Sequence, residues 1–273
     1  MQAASRESYA AAVAKLAPLV TGDRPVPLAG IADEILSVAQ LLVREPRLRR
    51  ALSDPARPGE DRVALIRSVV DGKVSADALA LVSTLISGRW SAPSELVDAA
   101  ERLGVETLLA SAESAGDLGE VEDELFRFGQ VVDGDARLSG ALGDSTAPVE
   151  QRAALIADLL GGKVRPATLR LATLALGGYG GRGFAASLTR LVEAAAERRD
   201  RQVAYVTVAA PLTEADEERL GVRLAGMYGR EVALKVSVDP RILGGVSVRV
   251  GNDLYDGTVL RRLNDTRTAL TGT

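Results

Sequence analysis

Several stretches of this 273-residue chain have residue types and spacings that chemistry could use. Gly178-Tyr179-Gly180-Gly181-Arg182-Gly183 contains the spacing G-x-G-x-x-G, in which glycines let backbone N–H groups approach a pyrophosphate. That use needs a strand before it, a helix starting at it and an acidic residue about 20 positions on. Here the preceding residues, Leu169 to Leu176, have a helical pattern, and the reading is a flexible inter-helix loop. Gly72-Lys73 and Gly162-Lys163 suggest phosphate loops to the eye. The Walker spacing, however, wants Gly where Arg67 and Ala157 stand and Ser or Thr where Val74 and Val164 stand. Both pairs read as helix C-caps with a cation at the negative end of the dipole.

Asp239 and Asp256 lie either side of Gly244-Gly245 and could be imagined as a magnesium or acid/base pair. With no histidine in the chain and only Lys235 close by, turn capping is the simpler role. Arg44, Arg47, Arg49 and Arg50 form a basic cluster, read as a solvated face with an acidic partner as the alternative. Trp90, the single tryptophan, falls in a loop, as an interface anchor or a cap on a core.

Composition excludes more than these motifs offer. Cysteine and histidine are both absent, so no disulfide, thiol nucleophile or His-based relay can be built, and no zinc site of the usual kinds. The formal charge of −4 and pI near 5.2 argue against a binder of phosphate backbones, so no nucleic-acid partner is expected. Neither cofactor nor small-molecule substrate is called for. No uncharged apolar run reaches the roughly 18 to 20 residues of a membrane span, and the chain reads as soluble and cytoplasmic.

The elements that must position all this are mostly helices, since the apolar content of 47 % carries only 3 % aromatics. Tyr9, Val13, Leu16 and Val20 make an apolar stripe on a first helix, with Ser5 or Ser8 as its cap, and residues 21–27 break it. Sliding the chain by 90 positions then aligns 31–81 with 121–171 without a gap, giving nineteen identities in fifty-one positions. About four would arise by chance in so biased a composition. Among them are Glu34/Glu124, Asp54/Asp144, Arg62/Arg152 and Gly72-Lys73/Gly162-Lys163. A duplicated helical bundle follows.

Period-two alternation appears only near the end, at Val232, Leu234, Val236 and Val238 and again at Val246, Val248 and Val250. Pro240 and the glycines Gly244, Gly245 and Gly251 turn the chain around these strands. Val203 to Val208 is a further strand, and Thr213 opens a helix with Leu220, Leu224 and Met227 on its buried side. A short strand at Leu254 and a closing helix through Leu260, Leu263 and Leu270 complete the module. The fold class is mainly α with a small α/β C-terminal module: duplicated helical bundles, then strand-helix-strand-strand. The segments are 1–27, a first helix and tether; 28–118 and 119–201, the bundles; and 202–273, the module.

The stretch Val232 to Gly257 resembles the C-terminal signature of the delta subunit of F-type ATP synthases, the oligomycin-sensitivity-conferring protein family. The resemblance is carried by Asp239, Ile242, Gly244, Gly245, Val246, Val248, Arg249, Gly251, Asp256 and Gly257, with Ala210-Pro211-Leu212-Thr213 and Ser5-Arg6-Glu7-Ser8-Tyr9-Ala10 as further marks. The internal duplication is similar to the extended delta chains of actinobacterial type. The resemblance implies a non-catalytic stator role at the cytoplasmic face of the plasma membrane. There the helical part would bind N-terminal segments of the α subunits, and the module would grip peripheral-stalk subunit b. Tyr9, Val13 and Leu16, with Leu220 and Leu224, are the residues assigned to partner grooves. The alternatives are a helical adaptor outside the ATP synthase and a nucleotide-binding enzyme using Gly178 to Gly183.

Overall fold

The computed structural model describes residues 1–22, 26–242, 244–251 and 253–257. Helices come first: α1 (Ala3–Thr21), α2 (Leu28–Arg44), α3 (Pro46–Ser53), α4 (Gly59–Val70), α5 (Ala76–Ser87), α6 (Pro93–Ser114), α7 (Leu118–Gly134), α8 (Ala136–Gly143), α9 (Val149–Leu160), α10 (Pro166–Ala175) and α11 (Phe184–Arg198). Then follow β1 (Gln202–Val208), α12 (Glu214–Tyr228), β2 (Val232–Val238), β3 (Val246–Val250) and β4 (Asp253–Asp256). The chain is thus mainly α with a small α/β module. The closing helix through Leu260, Leu263 and Leu270 falls outside the described residues.

Adding 90 to the bounds of α2, α3 and α4 gives those of α7, α8 and α9. The repeated identities are framework contacts. Arg62, buried among helix ends, donates through Nη1 to Leu52 O (3.2 Å) and Gly88 O (2.8 Å) and through Nη2 to Ser87 O (3.1 Å). Arg152 does the same for Leu142 O (3.2 Å) and Leu176 O (3.4 Å). Each guanidinium satisfies C-terminal carbonyls that would otherwise be orphaned, at the negative ends of two helix dipoles. Glu34 accepts from Ser75 N and Oγ at the start of α5, and Glu124 from Arg165 N and Thr168 Oγ1 at the start of α10. Lys73 and Lys163 donate to Val69 O and Leu159 O behind left-handed Gly72 and Gly162, which makes both pairs the C-caps expected of them.

Helix α6 belongs to both copies. Leu96, Leu103 and Ala110 enter a core with α1 to α5, while Val105, Leu108, Leu109 and Ala112 enter a second core with α7 to α11. Shifting α1 by the repeat length lands inside α6, so α6 is the last helix of one bundle and the first helix of the next. Its crossing with α2 is close because residue 104 is glycine: a Cβ there would stand 2.6 Å from Leu36 Cγ. After Ser114 the chain reverses through a Schellman turn, Gly116 N to Glu113 O (2.9 Å) and Asp117 N to Ala112 O (2.8 Å), with Gly116 at φ +77°. The sequence reading divides the bundles after residue 118; the cores divide along α6 itself.

Ser5 and Ser8 do not cap α1, whose N-cap is Gln2. They are buried inside it and hold the connector after α5: Ser8 Oγ donates to Arg89 O (2.9 Å) and accepts from Arg89 N (2.8 Å), and Ser5 Oγ accepts from Ser91 N (3.1 Å). Trp90 plugs the first core from that connector, its Nε1 donating to Leu85 O at 3.1 Å, so it is a core cap.

The sheet has the order β2-β1-β3-β4, with β1 parallel to β2 and antiparallel to β3. The two strands of the signature stretch therefore flank β1 and do not pair with each other. Thr213 caps α12 by accepting from Asp216 N (3.2 Å), and Gly229 ends it in the left-handed conformation. Ala204, Val206, Val208, Val248 and Val250 form the module's core with Leu224. Met227 departs from its expected buried position: it is 56 % exposed, because α12 packs mainly on β2 and the helix turns this side chain outward.

Candidate partner-binding surfaces

The polar faces of β1 and β2 are largely covered, while Arg249 on β3 stays exposed. The covered faces meet α7 and α11 of the second bundle. Lys235 on β2, 5 % exposed, places Nζ 2.7 Å from Glu122 Oε1 and 2.6 Å from Asp123 Oδ1, both on α7. Glu122, 1 % exposed, also receives Arg199 Nη1 at 2.9 Å. The row continues across the sheet: Tyr205 pairs with Lys235 in β2 and with Arg249 in β3. The Arg249 guanidinium lies 4.6 Å from the Tyr205 ring centroid, and Phe126 of α7 approaches the same ring at 6.3 Å. Gln130 Nε2 donates to Val236 O (3.2 Å), and beside it a cleft of about 310 Å³ opens between the sheet and α7/α11, lined by Phe126, Gln130, Thr189, Tyr205, Arg249 and Leu254. Further ion pairs bind α11 to α6 through Arg198, with Glu106 and Glu113.

The residues assigned to partner grooves fall into two groups. Leu16 is 2 % exposed in the first core and Leu224 4 % exposed in the module's core, so both serve the chain's own packing. A fully buried side chain cannot also line an open groove. Tyr9, Val13 and Leu220 are half-buried at the margins of those cores. Tyr9 stacks under Arg102 of α6 at 4.9 Å, and burial pushes its hydroxyl up to about 12. Exposed apolar side chains that the sequence does not single out include Val43 at the end of α2, Val131 on α7 and Val222 on α12, with Val222 69 % exposed, beside Met227, expected buried. Their helical periodicity gave no sign of which face would be left open.

The signature residues build turns. Asp239 accepts from Arg241 N (2.9 Å) and pairs with its guanidinium, which holds the carboxyl below its usual range. Ile242 N donates to Asp239 O (3.1 Å), and Gly244, Gly245 and Gly251 all take positive φ. Gly257 N closes onto Val246 O at 2.9 Å, while Arg249 belongs to the bundle-facing row; Asp256 ends β4.

The glycine-rich stretch connects α10 to α11, as expected, and is packed against α6. It forms a short 3₁₀ turn, Tyr179–Gly181, in which Tyr179 is buried in the second core, as Trp90 is in the first. Gly180 N donates to Glu101 Oε2 (3.1 Å), a carboxylate on α6 that burial pushes upward. An N–H already given to a carboxylate does not cradle a phosphate. Among the described residues no group of three or more carboxylates could hold a metal ion, and no helix is long and apolar enough to cross a membrane.

Two helical bundles share a helix, and a sheet module is locked onto the second. Comparison with known proteins names the kind. The model of the family described as "ATP synthase delta (OSCP) subunit" matches residues 105–270, beginning inside α6 where the second core begins. The "ATP synthase subunit delta" of Salinispora arenicola is 68 % identical over 271 residues, covering 99 % of each chain. That of Streptomyces griseus is 44 % identical over 272 residues, covering 100 % of each, and that of Parafrankia sp. 42 % identical over 278 residues, covering 99 % of this chain and 100 % of the other. The chain belongs to the ATP synthase delta (OSCP) family, the peripheral-stalk (stator) subunits of F-type ATP synthases. The family match runs from within α6 through the sheet module, and the full-length relatives cover α1 to α5 as well.

Proposed function

We propose that this stator chain does no chemistry and acts as a lever between two partners, the α subunits of the catalytic head and subunit b, at the cytoplasmic face of the membrane. The observation that carries this reading is the joint in which buried Lys235 and Glu122 pair, with Asp123 and Arg199 at its rim. A chain that resists rotor torque must transmit force between its parts, and charges removed from water are held to one geometry because breaking the pair leaves one of them unpaired. Binding on separate parts also multiplies affinity without a new contact, since the second event becomes intramolecular.

In this reading the bundles take N-terminal segments of the α subunits, with Tyr9 and Val13 at the margin of one surface. The module takes subunit b through α12, where Leu220 borders the exposed Val222 and Met227. An amphipathic partner helix would cover such side chains. The test is affinity purification of the tagged chain from its own cell extract. Recovery of α and b is the expected result. Recovery of neither favours a helical adaptor outside the complex, and micromolar binding of ATP abolished by replacing Gly178 and Gly180 would favour an enzyme.

A further inference from the structure

The corner between α2 and α3 carries Val43-Arg44-Glu45-Pro46-Arg47-Leu48-Arg49-Arg50: four arginines against one glutamate. The same eight positions of the second copy, 133–140, hold one arginine against two aspartates. Both corners fold alike, α2 to α3 and α7 to α8 having identical lengths and the same single-residue link. The fold therefore does not require the cations. Helix dipoles account for part of them, since Arg44 and Arg50 stand in last turns, but the second copy has no basic residue in either last turn. Arg47, in the first turn of α3, stands at the dipole's unfavourable end.

Arg44, Arg47 and Arg50 are exposed, and none makes an ion pair among the described residues. Arg198, Arg199 and Arg201 by contrast each meet a carboxylate. Arg49, partly buried, donates to Leu42 O, and exposed Arg50 donates through Nε to Pro46 O. Val43, next before Arg44 in the chain, is 49 % exposed. Exposed guanidinium groups without a carboxylate partner, close in the chain to an exposed valine, match an acidic segment, whose carboxylates each guanidinium can grip in bidentate fashion. The module docks on α7 and α11, not on this bundle, and leaves the corner uncovered.

We propose that the α2–α3 corner of the first bundle is a docking site for an acidic polypeptide segment of the catalytic head, a contact the second copy lacks. The proposal rests on the stator reading. The test measures binding of the full-length chain to purified catalytic head lacking this subunit, comparing R44E/R47E/R50E with R137E in the second copy. Charge reversal slows association about tenfold or more at low salt, R137E leaves it unchanged, and the difference vanishes near about 1 M salt, where the Debye length is about 3 Å. A milder variant, R44Q/R47Q/R50Q, gives a smaller loss in the same direction, and far-UV circular dichroism with retained subunit b binding confirms the fold. Unchanged head binding by the triple variant overturns the docking site and leaves the stator reading standing. Failure of the wild-type chain to bind head at all removes both. Charge-dependent binding to phosphatidylglycerol vesicles, with head binding unaffected, would assign the corner to a membrane surface and overturn the proposal.

Discussion

Lys235 of β2 and Glu122 of α7 form an ion pair at 2.7 Å with both side chains almost fully buried, and this pair fixes the sheet module to the helical part. Replacing Lys235 by Met leaves Glu122 with Arg199 alone. The expected cost is about 2–3 kcal/mol, below the 3–5 of a pair left without any partner. Calorimetry would show the module melting separately from the bundles. Replacing Lys235 and Glu122 together by Met and Leu should recover much of the loss.

Arg62 and Arg152 cap helix ends from inside the two bundles. R62A should destabilise the first bundle by about 2–3 kcal/mol, because several buried carbonyls lose their donor. R62K should recover little, since one ammonium cannot reproduce the fork that meets Leu52 O, Gly88 O and Ser87 O. Urea titrations of R62A, R152A and the double variant would check this. Near-additive costs are expected for sites with no shared partner.

Gly104 is where α6 lies against α2. A G104A substitution places a methyl group 2.6 Å from Leu36, and overpacking of this kind costs about 1–3 kcal/mol. Because α6 lines both cores, thermal melting should show the two bundles losing stability together. A change confined to the first bundle's transition would mean that α6 does not couple them.

The repeat told more of this architecture than any motif did. Its identities at Glu34, Asp54, Arg62 and Gly72 are local or helix-end contacts, repeated because each copy must satisfy the same backbone groups. The strands were legible from alternation, and Thr213 and Gly229 from capping chemistry. What the sequence did not disclose is packing between distant elements. Nothing in the period of α6 says that one face serves one core and another face a second. Lys235 alternates like a solvent-facing residue, and only the docking of α7 on that face buries it. Leu16 and Leu224 look like any apolar stripe, and a stripe does not tell whether the chain or a partner covers it. Glu101 gave no hint at all, since its role depends on Gly180, 79 positions away.

Tyr9 gives the pH signature of the α1–α6 contact. Burial raises its hydroxyl from 10.0 to about 12 in the folded chain, while the unfolded chain ionises at the ordinary value. The folded state thus holds its proton longer, and the stability this contributes is full below pH 10 and lost as the pH rises toward 12. Melting temperatures measured from pH 8 to 12 should fall above pH 10, and less steeply in Y9F. A Y9F profile identical to that of the wild type would contradict the assignment.

In the stator reading one chain bridges the catalytic head and the stalk, the bundles on the first and the sheet module on the second. Cross-linking mass spectrometry of the assembled ATP synthase tests it most directly. Lys15 and Lys73 of the first bundle and Lys163 of the second should link to α subunits, while acidic groups of α12, such as Glu217 and Glu218, should link to subunit b. Links from both bundles and module to a single partner, or to neither, would contradict it.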